Sequence, residues 1–147
     1  MKRFMFLFSL AIFLPSVNMQ AQILPEHRWE NRLLLVFSED DQDSQYLEQM
    51  EILQSDEAGL EERRLLIYII QPSRYKLASG SGEWTDSDKM YRKFKKFESD
   101  FEISLIGLDG YTKLLKDKVL SLQELFSVID AMPMRQREIM EKSSGDL

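Results

Sequence analysis

Two unbroken apolar runs, residues 33–37 and 65–70, dominate the hydrophobic pattern of the chain. Exposing such side chains would cost roughly 1.5–3 kcal/mol each, which over one run rivals the stability of a whole domain. We therefore predict two strands buried on both faces, as in a sheet covered by helices. Residues 44–58 carry apolar side chains at helical spacing and predict a helix that Gly59 ends. The three elements would form a right-handed βαβ unit with parallel strands.

Apolar and polar residues alternate in the next strand-forming segment. Phe101, Ile103 and Leu105 fall on one face of a strand, because strand side chains have a period of two. Asp109-Gly110 predicts a tight turn, since glycine accepts a positive φ and aspartate tolerates it. Residues 111–115 then predict a returning strand whose lysines protect a sheet edge.

The remaining segments complete the predicted topology. Residues 71–84 contain Pro72 and a Ser-Gly-Ser-Gly segment, so we expect a loop. A capping box at 85–88 predicts a helix to about residue 98, and a second box at 121–124 predicts another. Pro133 suits the first position of an offset helix over 134–142, followed by a flexible tail, residues 143–147. The pattern predicts an α/β fold, a thioredoxin-like three-layer sandwich with a mixed four-stranded sheet (order 2-1-3-4) and helices on both faces.

The amino terminus has the pattern of a secretory signal peptide. Lys2 and Arg3 precede an apolar stretch, residues 4–14, that is shorter than the roughly 20 residues of a membrane span. Ala21 offers a small residue for cleavage, so we expect residues 1–21 to be removed. Residues 22–142 would then form one thioredoxin-like domain, exported to the periplasm or secreted, with no membrane span.

Composition narrows the chemistry. The chain has no cysteine, which excludes disulfides, thiol redox reactions and thiolate metal sites. Its formal charge is −6, and removal of Lys2 and Arg3 gives −6 − 2 = −8. An acidic domain is a poor partner for nucleic acid, whose phosphates need a basic surface.

Three sequence blocks, 28–37 (RWENRLLLVF), 101–114 and 129–138 (IDAMPMRQRE), resemble the "domain of unknown function 4174" family. The resemblance implies a relative of thioredoxins or peroxiredoxins that occurs in exported bacterial proteins and in animal matrix and sushi-repeat proteins, without an established activity. Where the redox cysteines of thioredoxins would stand, this chain has residues 38–44 (SEDDQDS), and Ser99-Asp100 stands at the place of their cis-proline. We therefore expect neither a thiol-disulfide oxidoreductase nor a peroxidase.

The acidic loop offers the only candidate metal ligands. Glu39, Asp40, Asp41 and Asp43 could bind a hard cation such as Ca²⁺ through oxygen atoms. The favoured alternative is that these carboxylates precede a helix because its dipole attracts negative charge. We assign no catalytic residue and no cofactor.

A basic helix face offers a candidate anion or partner surface. Lys89, Arg92, Lys93 and Lys96 could hold an acidic protein, an anionic polysaccharide or a lipid headgroup. A solvated face is the favoured alternative, because exposed charge is usual on an amphipathic helix.

Three further features are weaker. His27, the only histidine, is expected in an exposed linker. Gly80 and Gly82 lack the strand and helix context of a dinucleotide loop and are expected to be linker. Trp29 is expected to cap the core, although Trp29, Arg28 and Arg32 could instead form an exposed binding edge.

These observations favour a non-catalytic binding or assembly module. Its partner would be a protein or an anionic envelope or extracellular component. The alternative is a carboxylate- or metal-dependent enzyme that uses the acidic loop, residues 38–44.

Overall fold

The computed structural model describes residues 25–78 and 82–145, so the predicted signal peptide lies outside the described residues. A short 3-10 helix (Pro25–His27) precedes the regular elements. In chain order these are β1 (Arg32–Ser38), α1 (Ser44–Gln54), α2 (Glu57–Glu62), β2 (Leu65–Gln71), β3 (Arg74–Leu77), β4 (Thr85–Asp86), α3 (Lys89–Phe94), β5 (Phe101–Ile106), β6 (Thr112–Lys116), α4 (Leu122–Asp130) and α5 (Pro133–Gly145). None of the helices within these residues has the length and apolar character needed to cross a bilayer.

One mixed sheet holds all six strands in the order β4-β3-β2-β1-β5-β6. β1 and β2 are parallel, with Leu33 opposite Leu66 and Phe37 opposite Ile70, which confirms the predicted pairing of the two apolar runs. The other pairs are antiparallel. The prediction of a four-stranded sheet in the order 2-1-3-4 is wrong for the sheet as a whole. The predicted strands keep their neighbours, but β3 and β4 extend the sheet beyond β2.

The extra strands form in a segment predicted as a loop. Tyr75 and Leu77 pack against the core on the α3 side of the sheet. The Arg74 guanidinium lies 4.0 Å from the ring centre of Trp84, and the Lys76 ammonium lies 4.6 Å from it. These side-chain contacts stabilise the β3–β4 pair despite Pro72 and the glycine-rich segment that follows.

Helices cover both faces of the sheet, and β1 is buried on both. Leu34 and Val36 belong to the larger core, under α1, α2 and α4, and Leu33, Leu35 and Phe37 belong to the smaller core, under α3. All five are at most 2% exposed. This is the burial that the unbroken apolar run predicts.

The single helix predicted over residues 44–58 is two helices. Asp56 accepts a hydrogen bond from the Gly59 amide and so begins α2. Gly59 therefore lies inside α2, and its prediction as a helix end is wrong. A Cβ atom at this position would lie 2.4 Å from the Asp56 carboxylate, so glycine leaves room for the cap.

The helix predicted to reach residue 98 is also shorter. Thr85 and Asp86 pair with β3 instead of forming a capping box, and α3 ends at Phe94. The buried Glu102 carboxylate accepts hydrogen bonds from the amides of Lys96 and Phe97, which holds the chain out of the helix.

The carboxyl-terminal elements follow the prediction closely. Gly110 has a φ of 82° in the turn between β5 and β6, and the Gly107 amide donates to the Tyr111 carbonyl across it. Ser121 caps α4 by accepting from the Glu124 amide at 3.2 Å. α5 begins at Pro133 and runs through Gly145, so the segment predicted as a tail starts as helix.

Candidate functional site

The acidic loop lies at the carboxyl ends of β1 and β2, and two of its carboxylates serve local turns. Asp43 accepts hydrogen bonds from the amides of Gln45 (2.8 Å) and Tyr46 (2.9 Å), which caps α1. Asp40 accepts from the Gln42 amide at 2.7 Å. Asp43 therefore caps α1, whereas Asp40 closes a local turn that the helix-dipole interpretation does not include.

The other two carboxylates make tertiary contacts. Asp41 accepts from the Gln71 side chain (2.8 Å) and from Arg74 (2.9 Å), and Glu39 accepts from the Tyr91 hydroxyl. Burial raises the pKa of Tyr91 far above its ordinary value, and the hydrogen bond and charge of Glu39 raise it further. No group of three or more His, Cys, Asp or Glu side chains in residues 25–78 and 82–145 is arranged to hold a metal ion.

The predicted basic face is divided in the structure. Lys89, Arg92 and Lys93 are exposed on α3, whereas Lys96 follows the end of that helix. Arg92 pairs with Asp88 one turn earlier. Between α3 and Lys96, the half-buried Lys95 donates to the carbonyls of residues 97 and 99.

Two predictions about the amino-terminal aromatic residues are wrong. His27 is half-buried, and its Nε2 lies 2.8 Å from the Tyr68 hydroxyl, so it is part of the packing against β2 and not an exposed linker. Trp29 is 54% exposed with a φ of 70°, so it does not cap the core. Its amide donates to the Leu108 carbonyl at 2.8 Å, which ties this turn to the β5–β6 turn. Gly80 lies outside the described residues, and no helix follows Gly82 directly.

Arg32 is fully buried at the amino end of β1, so the alternative in which it belongs to an exposed binding edge is wrong. Its Nη1 donates to the Arg63 carbonyl at 2.9 Å, and both Nη atoms donate to the Glu138 carboxylate at 3.1 and 3.3 Å. Arg64 also pairs with Glu138, at 3.2 Å. A single carboxylate of α5 thus neutralises a buried cation of the central strand.

Arg135 extends these contacts to α2 and α4. It pairs with Glu62 at 2.9 Å, Asp130 at 3.2 Å and Glu138 at 3.4 Å. Arg63 pairs with Asp130 at 2.7 Å. Burial alone would raise the pKa of Asp130, yet the hydrogen bonds from Arg63 and Arg135 hold it below its ordinary value. We call these seven residues the arginine network: Arg32, Arg63, Arg64, Arg135, Glu62, Asp130 and Glu138.

A cleft of about 300 Å³ opens beside the arginine network, between the β5–β6 turn and the α4–α5 junction. Its charged lining residues are Arg32, Asp109 and Lys113, and most of the others are apolar. Lys113 pairs with Asp109 at 2.6 Å. Burial raises the pKa of Asp109, but the hydrogen bonds from Lys113 and from the Tyr111 amide bring it below its ordinary value. The Nε of Arg32 is buried and has no hydrogen-bond partner among the described residues.

Gly107 shapes this cleft. A Cβ atom there would lie 2.5 Å from Lys113 Cε and 2.9 Å from Asp109 Oδ1. Glycine therefore lets the Lys113 side chain lie flat across the backbone and reach Asp109. The cleft and the acidic loop lie at opposite ends of β1, roughly 20 Å apart at the ordinary rise of a strand.

Sequence reasoning missed the cleft, although one signal was present. Arg32 directly precedes an unbroken apolar run, and the 129–138 block carries charges at Asp130, Arg135 and Glu138 that could neutralise it.

A larger cavity of about 720 Å³ lies between the helices α1 and α2 and the strand β2. Its charged lining residues are Glu57, Glu61 and Arg64, all of them exposed.

Comparisons with known proteins agree with the family resemblance. The family model described as "Domain of unknown function (DUF4174)" matches residues 23–138, which is most of the chain. The chain belongs to this family. No curated protein matches the sequence of this DUF4174 chain.

The DUF4174 domain is similar in structure to the reduced 2-Cys peroxiredoxin of Plasmodium vivax. The TM-score is 0.54 at 16% sequence identity, over 78% of this chain and 72% of the peroxiredoxin chain. At this identity the likeness concerns the fold alone, and it supports a thioredoxin-like scaffold. The DUF4174 chain carries that scaffold without any cysteine.

Proposed function

We propose that this DUF4174 domain is an exported, non-catalytic binding module that uses the cleft at the α4–α5 junction as its binding site. The observation that carries the proposal is a largely apolar cavity of about 300 Å³ whose lining includes the ion pair of Lys113 and Asp109. Ligand sites are typically concave and apolar, with a few polar groups that fix orientation. The partner is a protein or an anionic component of the envelope or extracellular space.

The contacts of the charged side chains favour binding over catalysis. Arg32 and Lys113 are held in ion pairs, and no hydroxyl, thiol or imidazole group is among the described lining residues of the cleft. At the other end of β1, the carboxylates of the acidic loop cap a helix, close a turn or bind neighbouring side chains. The alternative of an enzyme based on this loop therefore has no specific support.

Ligand capture with a filled cleft tests the proposal. The mature chain, residues 22–147, is incubated with envelope and secreted fractions of the source cell, and the bound proteins and small molecules are identified by mass spectrometry. Ala131 is exposed and lines the cleft, so Ala131→Trp should fill it, whereas Ala58→Trp changes an exposed alanine on α2 that does not line the cleft.

We expect a ligand that the wild type and Ala58→Trp retain and that Ala131→Trp loses by about tenfold or more, the equivalent of about 1.4 kcal/mol. Equal melting temperatures of the two variants would show that both fold. Capture that is unaffected by Ala131→Trp, or no specific capture, contradicts the proposed site. Chemical conversion of the captured ligand contradicts the non-catalytic assignment. An intact signal sequence on the protein in its native compartment contradicts export.

A further inference from the structure

We propose that the partner of the cleft is a proline-rich segment of a protein, bound in the polyproline II conformation across the exposed aromatic side chains of Trp29 and Tyr111. This inference rests on the binding function proposed above, where the partner is a protein or an anionic component, and selects the protein. We call Arg28, Trp29 and Tyr111 the aromatic platform.

Trp29 is held at the surface by its backbone. It has a φ of 70°, in the left-handed region that residues other than glycine rarely adopt, and it is 54% exposed. Its amide donates to the Leu108 carbonyl at 2.8 Å, which fixes this conformation. Strained backbone of this kind clusters at ligand-binding and active sites, where the surrounding contacts maintain it. A large aromatic side chain held in solvent by a strained turn therefore indicates a contact surface.

Both aromatic residues of the platform adjoin the cleft. Leu108, which binds the Trp29 amide through its carbonyl, also lines the cleft. Tyr111 is 58% exposed, and the ammonium group of Lys113, another lining residue, lies 6.0 Å from the centre of its ring. A partner that enters the cleft would therefore lie beside the two aromatic side chains.

Arg28 connects the two aromatic residues. Its guanidinium lies 5.1 Å from the centre of the Trp29 ring, and its Nε lies 3.9 Å from the position that a Cβ atom of Gly110 would occupy. Gly110 directly precedes Tyr111 in the β5–β6 turn. The Arg28 side chain is therefore held between the Trp29 ring and this turn, which orients the platform before any ligand binds.

The free polar groups of the platform are hydrogen-bond donors. The Trp29 indole, the Tyr111 hydroxyl and the Arg28 Nη groups have no partner among the described residues, and only the Nε of Arg28 is enclosed. Proline offers a backbone carbonyl but no amide hydrogen, and a polyproline II helix has no internal hydrogen bonds. A proline-rich segment would therefore supply acceptors to these donors and leave no donor of its own unsatisfied.

The charge of the region favours a neutral segment over an anionic polymer. Two cations and two carboxylates lie in the platform and the adjoining turns, so their formal charges cancel: Arg28, Lys113, Glu30 and Asp109. Lys113 and Asp109 also pair with each other at 2.6 Å. Selection of a polyanion needs a positive field, which this surface lacks.

The cleft suits one apolar side chain of such a segment. Leu108, Val128, Met132 and Met134 line a volume of about 300 Å³, which is too small for a helix about 10–12 Å wide. A polyproline II helix repeats about every three residues, so one side chain can enter the cleft while its neighbours pack on aromatic rings. Grooves lined by aromatic residues recognise proline-rich segments in this way, because the segment is already extended before it binds.

A proline-rich peptide and its mirror image test the inference. The peptide Pro-Pro-Leu-Pro-Pro-Leu-Pro-Pro, blocked at both ends, carries no charge, and the all-D peptide has the same composition but the opposite helical hand. Each is titrated into the mature chain, and binding is followed by NMR of the two tryptophan indole groups. We expect roughly millimolar affinity for the all-L peptide and at least about tenfold weaker binding of the all-D peptide. The Trp29 indole resonance should shift, and that of Trp84, which packs on β3, should not.

Two substitutions connect binding to the platform. Trp29→Ala and Tyr111→Ala each remove an aromatic side chain of a residue that is more than half exposed, so both variants should fold and bind the peptide about tenfold more weakly. Leu47→Ala, at a 50% exposed residue on α1, should keep the affinity of the wild type. Melting temperatures check the folding of the variants, and the amide resonances of the 107–111 turn report binding where the Trp29 indole is absent.

Other occupants of an aromatic surface are outcomes that overturn the inference. Equal binding of the two peptide hands, or binding that neither aromatic substitution weakens, contradicts it directly. Tighter binding of cellohexaose or dextran sulfate than of the peptide assigns the surface to a polysaccharide. Concentration-dependent self-association that Trp29→Ala abolishes assigns the surface to a second copy of the chain.

The two proposals can fail separately. Ala131→Trp should weaken both the capture from cell fractions and the binding of the all-L peptide. If capture depends on Ala131 but the two peptide hands bind alike, the cleft is a binding site and only the proline-rich inference is wrong. If neither capture nor peptide binding depends on Ala131, both proposals are wrong.

Discussion

Glu138 makes the arginine network testable, because one carboxylate of α5 contacts three arginines. Its side chain is 12% exposed and lies 3.1 Å from Arg32, 3.2 Å from Arg64 and 3.4 Å from Arg135. Glu138→Gln keeps the size of the side chain but removes the charge. Fully buried Arg32 then loses its only anionic partner among the described residues.

We expect Glu138→Gln to lower the free energy of unfolding by about 3 kcal/mol. A hydrogen bond to a charged group contributes about 1.5–3 kcal/mol, and breaking one side of a buried ion pair costs about 3–5 kcal/mol. The lower end applies because the glutamine oxygen restores one bond. In urea, with a slope of about 1–3 kcal/mol per molar, the midpoint should fall by roughly 1–3 M.

Glu141→Gln is the matched control for this experiment. It makes the same chemical change on the same helix, at an exposed residue without an ion pair among the described residues. Surface changes of this kind usually alter stability by less than about 0.5 kcal/mol. A loss below about 1 kcal/mol for Glu138→Gln, or equal losses for both variants, would refute the interpretation that this carboxylate neutralises Arg32.

Three further predictions concern single residues. Because the pKa of Asp130 is lowered in the folded state, its contribution to stability is complete above about pH 4 and is lost as the pH falls through the folded-state pKa. Asp130→Asn should therefore reduce the loss of unfolding free energy at acid pH, measured by urea unfolding. An unchanged loss contradicts this prediction. The raised pKa of Tyr91 keeps its phenol protonated beyond about pH 10. Wild type and Tyr91→Phe should therefore show equal phenolate absorbance at about pH 11. A lower absorbance in the variant would contradict the raised pKa. Gly110→Ala should destabilise the chain by about 1 kcal/mol in thermal unfolding because its φ is 82°, unlike Gly145→Ala in helix α5, and equal effects would show that the turn is not strained.

The core of the fold could be predicted because it depends on local sequence patterns. The apolar runs at 33–37 and 65–70 require burial on two faces, and the pairing of β1 with β2 satisfies that requirement. The Asp109-Gly110 turn and the Ser121 cap use chemistry that a few adjacent residues encode. Such features need no information about distant parts of the chain.

The missed features depend on contacts between distant residues. β3 and β4 are held by side chains such as Arg74 and Trp84 in a segment whose glycines and proline indicate a loop. The early end of α3 depends on the Glu102 carboxylate of the next strand. The burial of Arg32 depends on Glu138, 106 residues away, so the residues next to Arg32 do not reveal which carboxylate neutralises it.

The pairing of Arg32 with Glu138 also constrains the order in which the chain can fold during synthesis. The central strand emerges from the ribosome long before α5, yet its buried cation is neutralised only when residue 138 becomes available. Long-range contacts of this kind slow folding, because a large loop must close before they form. A growing chain that ends before α5 therefore holds its middle strand without a counterion, which favours an unfolded chain until α5 has been made.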